Sequence, residues 1–110
     1  VKISYKSKKL KKQLTEPKTI NKTFGTMAKK VNARMKDLKA SDNLAVLMKI
    51  PAARCHSLKG EKKEQFAVDI SKNYRLIFEP DHHPVPRKAD GGLDYIKIVD
   101  IIITATEDYH

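Results

Sequence analysis

Three short stretches of this 110-residue chain hold side chains suited to phosphate chemistry. "RCHSLKG" supplies Arg54, His56 and Lys59, "NYRLIF" supplies Arg75, and "EDYH" ends on Asp108, Tyr109 and His110. Cutting RNA without a metal takes a base to remove the 2′-OH proton and an acid to protonate the departing 5′-oxygen. Cations must also stabilise the pentacoordinate phosphorane. Histidine titrates near neutral pH, so His56 and His110 suit proton transfer. Lys59 and Arg75 suit charge stabilisation, the arginine through its planar fork. Tyr109 can stack on a base or relay a proton, and Asp108 can orient an imidazole. Each group also has a plain reading: "HxxK" as a solvated loop, Arg75 as a salt-bridge partner on a strand, and Tyr109 packed on a sheet. No Gly-rich phosphate loop is present. "DHH" at Asp81–His83 lacks the Cys pair or helical HxxxH spacing of a metal site, so neither metal nor cofactor is expected.

The net charge is +10, from 23 Lys and Arg against 13 Asp and Glu. Such a field draws polyanions and speeds their encounter, which puts nucleic acid first among partners, ahead of an acidic protein. One cysteine, Cys55, cannot form an internal disulfide and fits a reducing compartment. The longest apolar run, "IIITA", is too short to span a bilayer, and "VKISYKSKKLKK" lacks the apolar core of a signal peptide. The expected location is the cytoplasm, and Val1 is not expected to be the translated start.

The elements that must position these groups are legible from spacing. At this length the chain predicts a single domain, 1–110. "KISYK" alternates as a strand, and Ser7 can cap a basic helix, "KKLKKQL", that stops near Pro17. From Thr19 to about Lys39, apolar Ile20, Phe24, Met27, Val31, Met35 and Leu38 recur three or four apart. That pattern predicts one helix, slightly weakened by Gly25, whose wet face carries Lys22, Lys29, Lys30, Arg34 and Lys36. These five, with Arg54, are the candidate contacts to RNA. Ser41 and Asp42 offer a cap for "NLAVLMK", and "AARCHSLKGEKKEQ" reads as polar loop. "FAVDI" and "YRLIFE" around "SKN" form a hairpin. "PDHHPVPRKADGG" is a long loop, "LDYIKI" a turn of helix, and "VDIIITAT" a last strand apolar enough to lie inside a sheet. The fold class is α+β, with N-terminal helices covering a small antiparallel sheet.

Taken together, "HSLKG", "NYRLIF" and the terminal "DYH" resemble the HigB branch of the RelE/ParE toxin superfamily, over nearly the whole chain. The resemblance implies a type II toxin that cuts messenger RNA on the ribosome. It also implies neutralisation by a cognate antitoxin, usually one with a helix-turn-helix domain as in HigA-like proteins. The family's H-x-L-K-G motif matches His56 and Lys59, its strand arginine matches Arg75, and its terminal residues match Asp108, Tyr109 and His110. Ser57 stands where proline is common in the family, and the loop from Pro80 to Gly92 is longer than in compact members. The toxin alone is expected to be monomeric, and oligomeric with its antitoxin. Two other functions stay open on the residues. A ParE-like sibling would inhibit DNA gyrase by binding, and a silent nucleic-acid-binding module would show salt-dependent binding without cleavage.

Overall fold

A computed structural model describes residues 1–58 and 64–108. The first strand, β1 (Lys2–Tyr5), leads into helix α1 (Lys8–Thr15), whose N-cap Ser7 accepts a hydrogen bond from the Leu10 N–H at 3.1 Å. Helix α2 (Pro17–Phe24) begins on proline, whose missing N–H costs nothing in a first turn.

The long second helix expected from the apolar period is broken. Gly25 takes a positive φ of 54°, a 3-10 turn follows at Gly25–Met27, and α3 (Ala28–Ala40) starts afresh. Only a residue without Cβ holds that backbone cheaply, so the glycine redirects the chain instead of merely weakening it. The apolar stripe survives the break: Ile20, Phe24, Val31, Met35 and Leu38 are all buried. Each contributes roughly 1.5–3 kcal/mol by leaving water. Helix α4 (Leu44–Met48) is capped by Asn43, whose Oδ1 accepts from the Val46 N–H, and not by Ser41 or Asp42. Ser41 is engaged at the end of α3, where its hydroxyl donates to the Asp37 carbonyl.

A 3-10 turn at Pro51–Ala53 then feeds a two-residue strand, β2 (His56–Ser57), within the stretch expected to be loop. The hairpin follows as predicted, with β3 (Phe66–Ser71) and β4 (Tyr74–Pro80), and β5 (Asp100–Asp108) closes the described chain. The sheet order is β1-β5-β4-β3-β2. β2, β3, β4 and β5 pair antiparallel, but β1 runs parallel to β5, so the sheet is mixed rather than antiparallel. The reason is connectivity: helices α1–α4 and the hairpin separate β1 from β5, which is crossover enough for a parallel pair.

Leu76 and Phe78 of β4, Phe66 and Val68 of β3, and Ile101 and Ile103 of β5 meet the helices in one core. The loop between β4 and β5 is tied down. Arg87 bridges to Leu93, its guanidinium pairs with Glu64, and Tyr95, in a 3-10 turn at Tyr95–Lys97, packs edge-on against Phe66 at 6.0 Å. No helix among the described residues is long and apolar enough to cross a membrane.

Candidate active site

Cross-strand partners share a face of a sheet, so the register assigns each candidate side chain to a side. Two rows cross the face turned away from the helices. One runs His56, Ala67, Ile77, Ala105, and the next runs Asp69, Arg75, Glu107. His56 and Arg75, from two separate sequence stretches, therefore stand on the same face.

Regular pairing through Ala67 and Ile77 is enough for this, and two irregularities lie beside it. In β3 the register slips between Asp69 and Ser71, leaving Ile70 as the extra residue. In β5 it slips where Ile77 pairs with Ala105 but Phe78 pairs with Ile103, leaving Thr104 as the extra residue. Ahead of that bulge the odd-numbered Ile101 and Ile103 face the core. Beyond it the odd-numbered Ala105 and Glu107 face the other way. Bulges are used in just this manner to re-aim side chains next to sites.

Arg75 Nη2 lies 2.6 Å from Glu107 Oε1, with the arginine side chain 18% exposed and the glutamate 45%. Asp69 is buried at 8% exposure, and Arg54 Nη1 reaches its carboxylate at 3.5 Å. From the core side, Arg34 Nε donates to the Asp69 carbonyl at 2.5 Å and Nη1 donates to Asp37 at 2.6 Å. Arg34 is thus 7% exposed and does not belong to the wet basic face where its charge had placed it. The Asp69 carbonyl, next to the bulge, thus accepts from an arginine beneath the sheet. Lys22, Lys29, Lys30 and Lys36 are exposed, as expected of that face.

His56 is half-buried, and its Nδ1 lies 2.7 Å from the Arg54 carbonyl. Arg54 itself has an exposed side chain and a left-handed backbone, φ 43°. Asp108 pairs with Tyr74, which packs edge-on against Phe24 of α2. Its register puts Asp108 on the helix-facing side, so the structure does not bring it onto the Arg75 face. Lys59, Tyr109 and His110 lie outside the described residues. Sequence reasoning missed Asp69 and Glu107. A charged residue inside the apolar "FAVDI" was a usable signal for the first; nothing in the alternation of β5 pointed to the second.

Two other clusters resolve without catalysis. Burial pushes the Cys55 thiol up to about 12, far from the thiolate a nucleophile needs at neutral pH. In "DHH" the two histidines do different things. His82 Nε2 accepts from the Val99 and Asp100 N–H groups at 3.2 Å each, while His83 faces Asp81 at 3.7 Å. Among the described residues no group of three His, Cys, Asp or Glu side chains could hold a metal ion.

Helices stacked on one side of a mixed sheet, with arginine and histidine side chains on the other, form an α+β architecture consistent with RelE-like toxins. The chain belongs to the HigB-like toxin family: the family model, described as "RelE-like toxin of type II toxin-antitoxin system HigB", matches residues 3–87. The match takes in Arg54, His56, Lys59 and Arg75 and stops short of the terminal "DYH". It makes this protein a toxin of a toxin–antitoxin system, with a cognate antitoxin as its partner. A search of curated proteins gave no match.

Proposed function

We propose that this toxin is a ribosome-dependent messenger-RNA endonuclease that works by attack of the 2′-OH on the neighbouring phosphorus. The observation that supports it most is the sharing of one sheet face by His56, a proton-transfer group, and Arg75, a phosphate-binding cation. In the reaction, His56 takes the 2′-OH proton, the O2′–P bond forms, and charge gathers on the phosphorane oxygens beside Arg75. The P–O5′ bond then breaks, and the leaving oxygen is protonated by an acid, for which His110 enters on the family resemblance. Lys59 adds a second cation and Tyr109 a stacking surface on the same basis, whereas Asp108, turned to the helix-facing side beside Tyr74, takes no part in the reaction. The products are a 2′,3′-cyclic phosphate and a 5′-hydroxyl, and the step balances without a metal. Lys22, Lys29, Lys30 and Lys36 supply contacts to ribosomal RNA. The antitoxin is a helix-turn-helix protein, and the toxin, monomeric when alone, acts in the cytoplasm.

The test is incubation with translating ribosomes and a defined message, followed by end mapping. Cuts within translated codons bearing cyclic phosphates, absent with free RNA and abolished in His56→Ala, are expected. An intact message combined with inhibited supercoiling by gyrase would replace this reading with the ParE-like one.

A further inference from the structure

Outside the charges on the sheet face, the least ordinary piece of backbone in the described chain is Arg54. It is the one non-glycine residue with positive φ there, at 43°. L residues other than Gly, Asn and Asp seldom hold that conformation, and arginine has no local bond that rewards it. Strained backbone persists where the surroundings dictate it and clusters at functional sites. Here the surroundings are identifiable. Ala53 is fully buried, and the Arg54 N–H closes the 3-10 turn on the Pro51 carbonyl at 3.2 Å. Two residues later, His56 must pair with Ala67. Turning the chain between those two fixed points takes a left-handed residue at position 54.

The consequence lies in the carbonyl. Arg54 O sits 2.7 Å from His56 Nδ1. A carbonyl can only accept, so a neutral His56 carries its proton on Nδ1 and leaves Nε2 with a lone pair. We infer that Arg54 is a positioning residue: its left-handed backbone fixes His56 in the Nδ1–H tautomer and thereby makes Nε2 the proton acceptor. The inference deepens the nuclease reading and rests on it for the meaning of Nε2, though not for the ring state. It assigns the Arg54 backbone a role separate from its exposed guanidinium, which pairs with Asp69 and is free to contribute to RNA binding.

The test separates backbone from charge. Protein labelled with 15N at histidine is compared as wild type, Arg54→Gly, Arg54→Asn and Arg54→Val, at a pH where His56 is neutral. Two-bond 1H–15N spectra distinguish the tautomers. Gly and Asn accept the left-handed region and should keep the Nδ1–H signature, although both lose the cation. Valine resists that region and should convert His56 to mainly Nε2–H. On ribosomes, turnover should fall by a further ~10-fold or more in the valine variant relative to the glycine variant, the difference lying in kcat and not in KM. If Arg54→Val does not fold, Arg54→Ala serves in its place with a smaller shift in the same direction. An Nε2–H signature in the wild type, or an unchanged Nδ1–H signature in the valine variant, overturns the inference. The two readings fail separately. Message left uncut by a protein whose tautomer follows residue 54 defeats the nuclease, while cleavage with a tautomer indifferent to residue 54 defeats the lock.

Discussion

Glu107 and Arg75 offer the sharpest test of how the sheet face handles a phosphate. The carboxylate meets the guanidinium at 2.6 Å, where an incoming phosphate oxygen would compete for the same N–H groups. Asp69 is held from below and buried, but the Glu107 side chain is 45% exposed and able to swing away. Glu107 is therefore expected to be a placeholder that substrate displaces. Glu107→Gln keeps the shape and removes the charge. Because the pair is partly exposed, solvent screening holds its worth to about 0–1 kcal/mol. The melting temperature should accordingly move by no more than about 4–8 °C.

The same energy bounds the gain in affinity. Relieving a competitor worth at most about 1 kcal/mol should tighten RNA binding by roughly two- to fivefold. The assay is fluorescence anisotropy with a short RNA made uncleavable by 2′-O-methylation, at two salt concentrations. A general charge effect would also tighten binding, so the cycle is completed with Arg75→Ala and the double variant. In the Arg75→Ala background Glu107→Gln should do nothing. Equal tightening in both backgrounds refutes the direct competition, and weaker binding in Glu107→Gln shows that the carboxylate orients Arg75 instead.

Other outcomes follow from the same structure. Arg34→Met removes the hydrogen bonds of a buried guanidinium to the Asp69 carbonyl and to Asp37 and should cost roughly 1–3 kcal/mol, read as an earlier thermal transition, with no change in the salt dependence of ribosome binding. Reversing Lys29 and Lys30 to glutamate should do the opposite: an unchanged melting curve, weaker ribosome association and a flatter salt slope. The folded chain keeps the Cys55 proton that the unfolded chain releases from its ordinary value of 9.0, so stability should fall as pH rises from about 9 toward 12. Cys55→Ala should remove the thiol's share of that decline and leave the share of Tyr5, whose hydroxyl burial also pushes up, measurable as chemical denaturation across the window. Deleting Thr104 should erase the β5 bulge yet keep Ala105 opposite Ile77 and Glu107 opposite Arg75, because the residue removed is the extra one. Near-normal stability and RNA binding are expected, and loss of binding with the fold intact would show that the bulge itself shapes the face.

The hairpin, the cap at Ser7 and the apolar stripe were legible because each is local: alternation, a short polar side chain before a helix, a spacing of three or four. The break at Gly25 is hidden because the apolar period continues through it, and periodicity does not register a change of axis. Arg34 carries two conflicting signals. It lies three residues after Val31 and four before Leu38, inside the apolar stripe, while its charge points to the wet face, and the spacing prevails. The parallel β1–β5 pair depends on which distant strand β1 finds, which no short-range signal encodes. Of the candidate residues, His56 and Arg75 fall on one face of the sheet, whereas Asp108 lands on the other.

That last difference comes down to a single residue. In a regular strand, Ile101 and Ile103 would set every odd position toward the core, and Glu107 would share their side. The extra residue at Thr104 reverses the assignment for everything after it, so the even-numbered Asp108 turns to Tyr74 while Glu107 meets Arg75. In β3 the slip falls only after Asp69, so plain alternation from Ala67 already sets the Asp69 carboxylate where Arg54 reaches it, opposite Arg75. Arg75 thus has one acidic neighbour placed by alternation and another placed by a defect in the ladder. A regular β5 would have kept the pairing of His56, Ala67 and Ile77 but turned Glu107 to the core side and Asp108 to the Arg75 side. Which acid meets Arg75 therefore depends as much on where β5 breaks register as on which residues it contains.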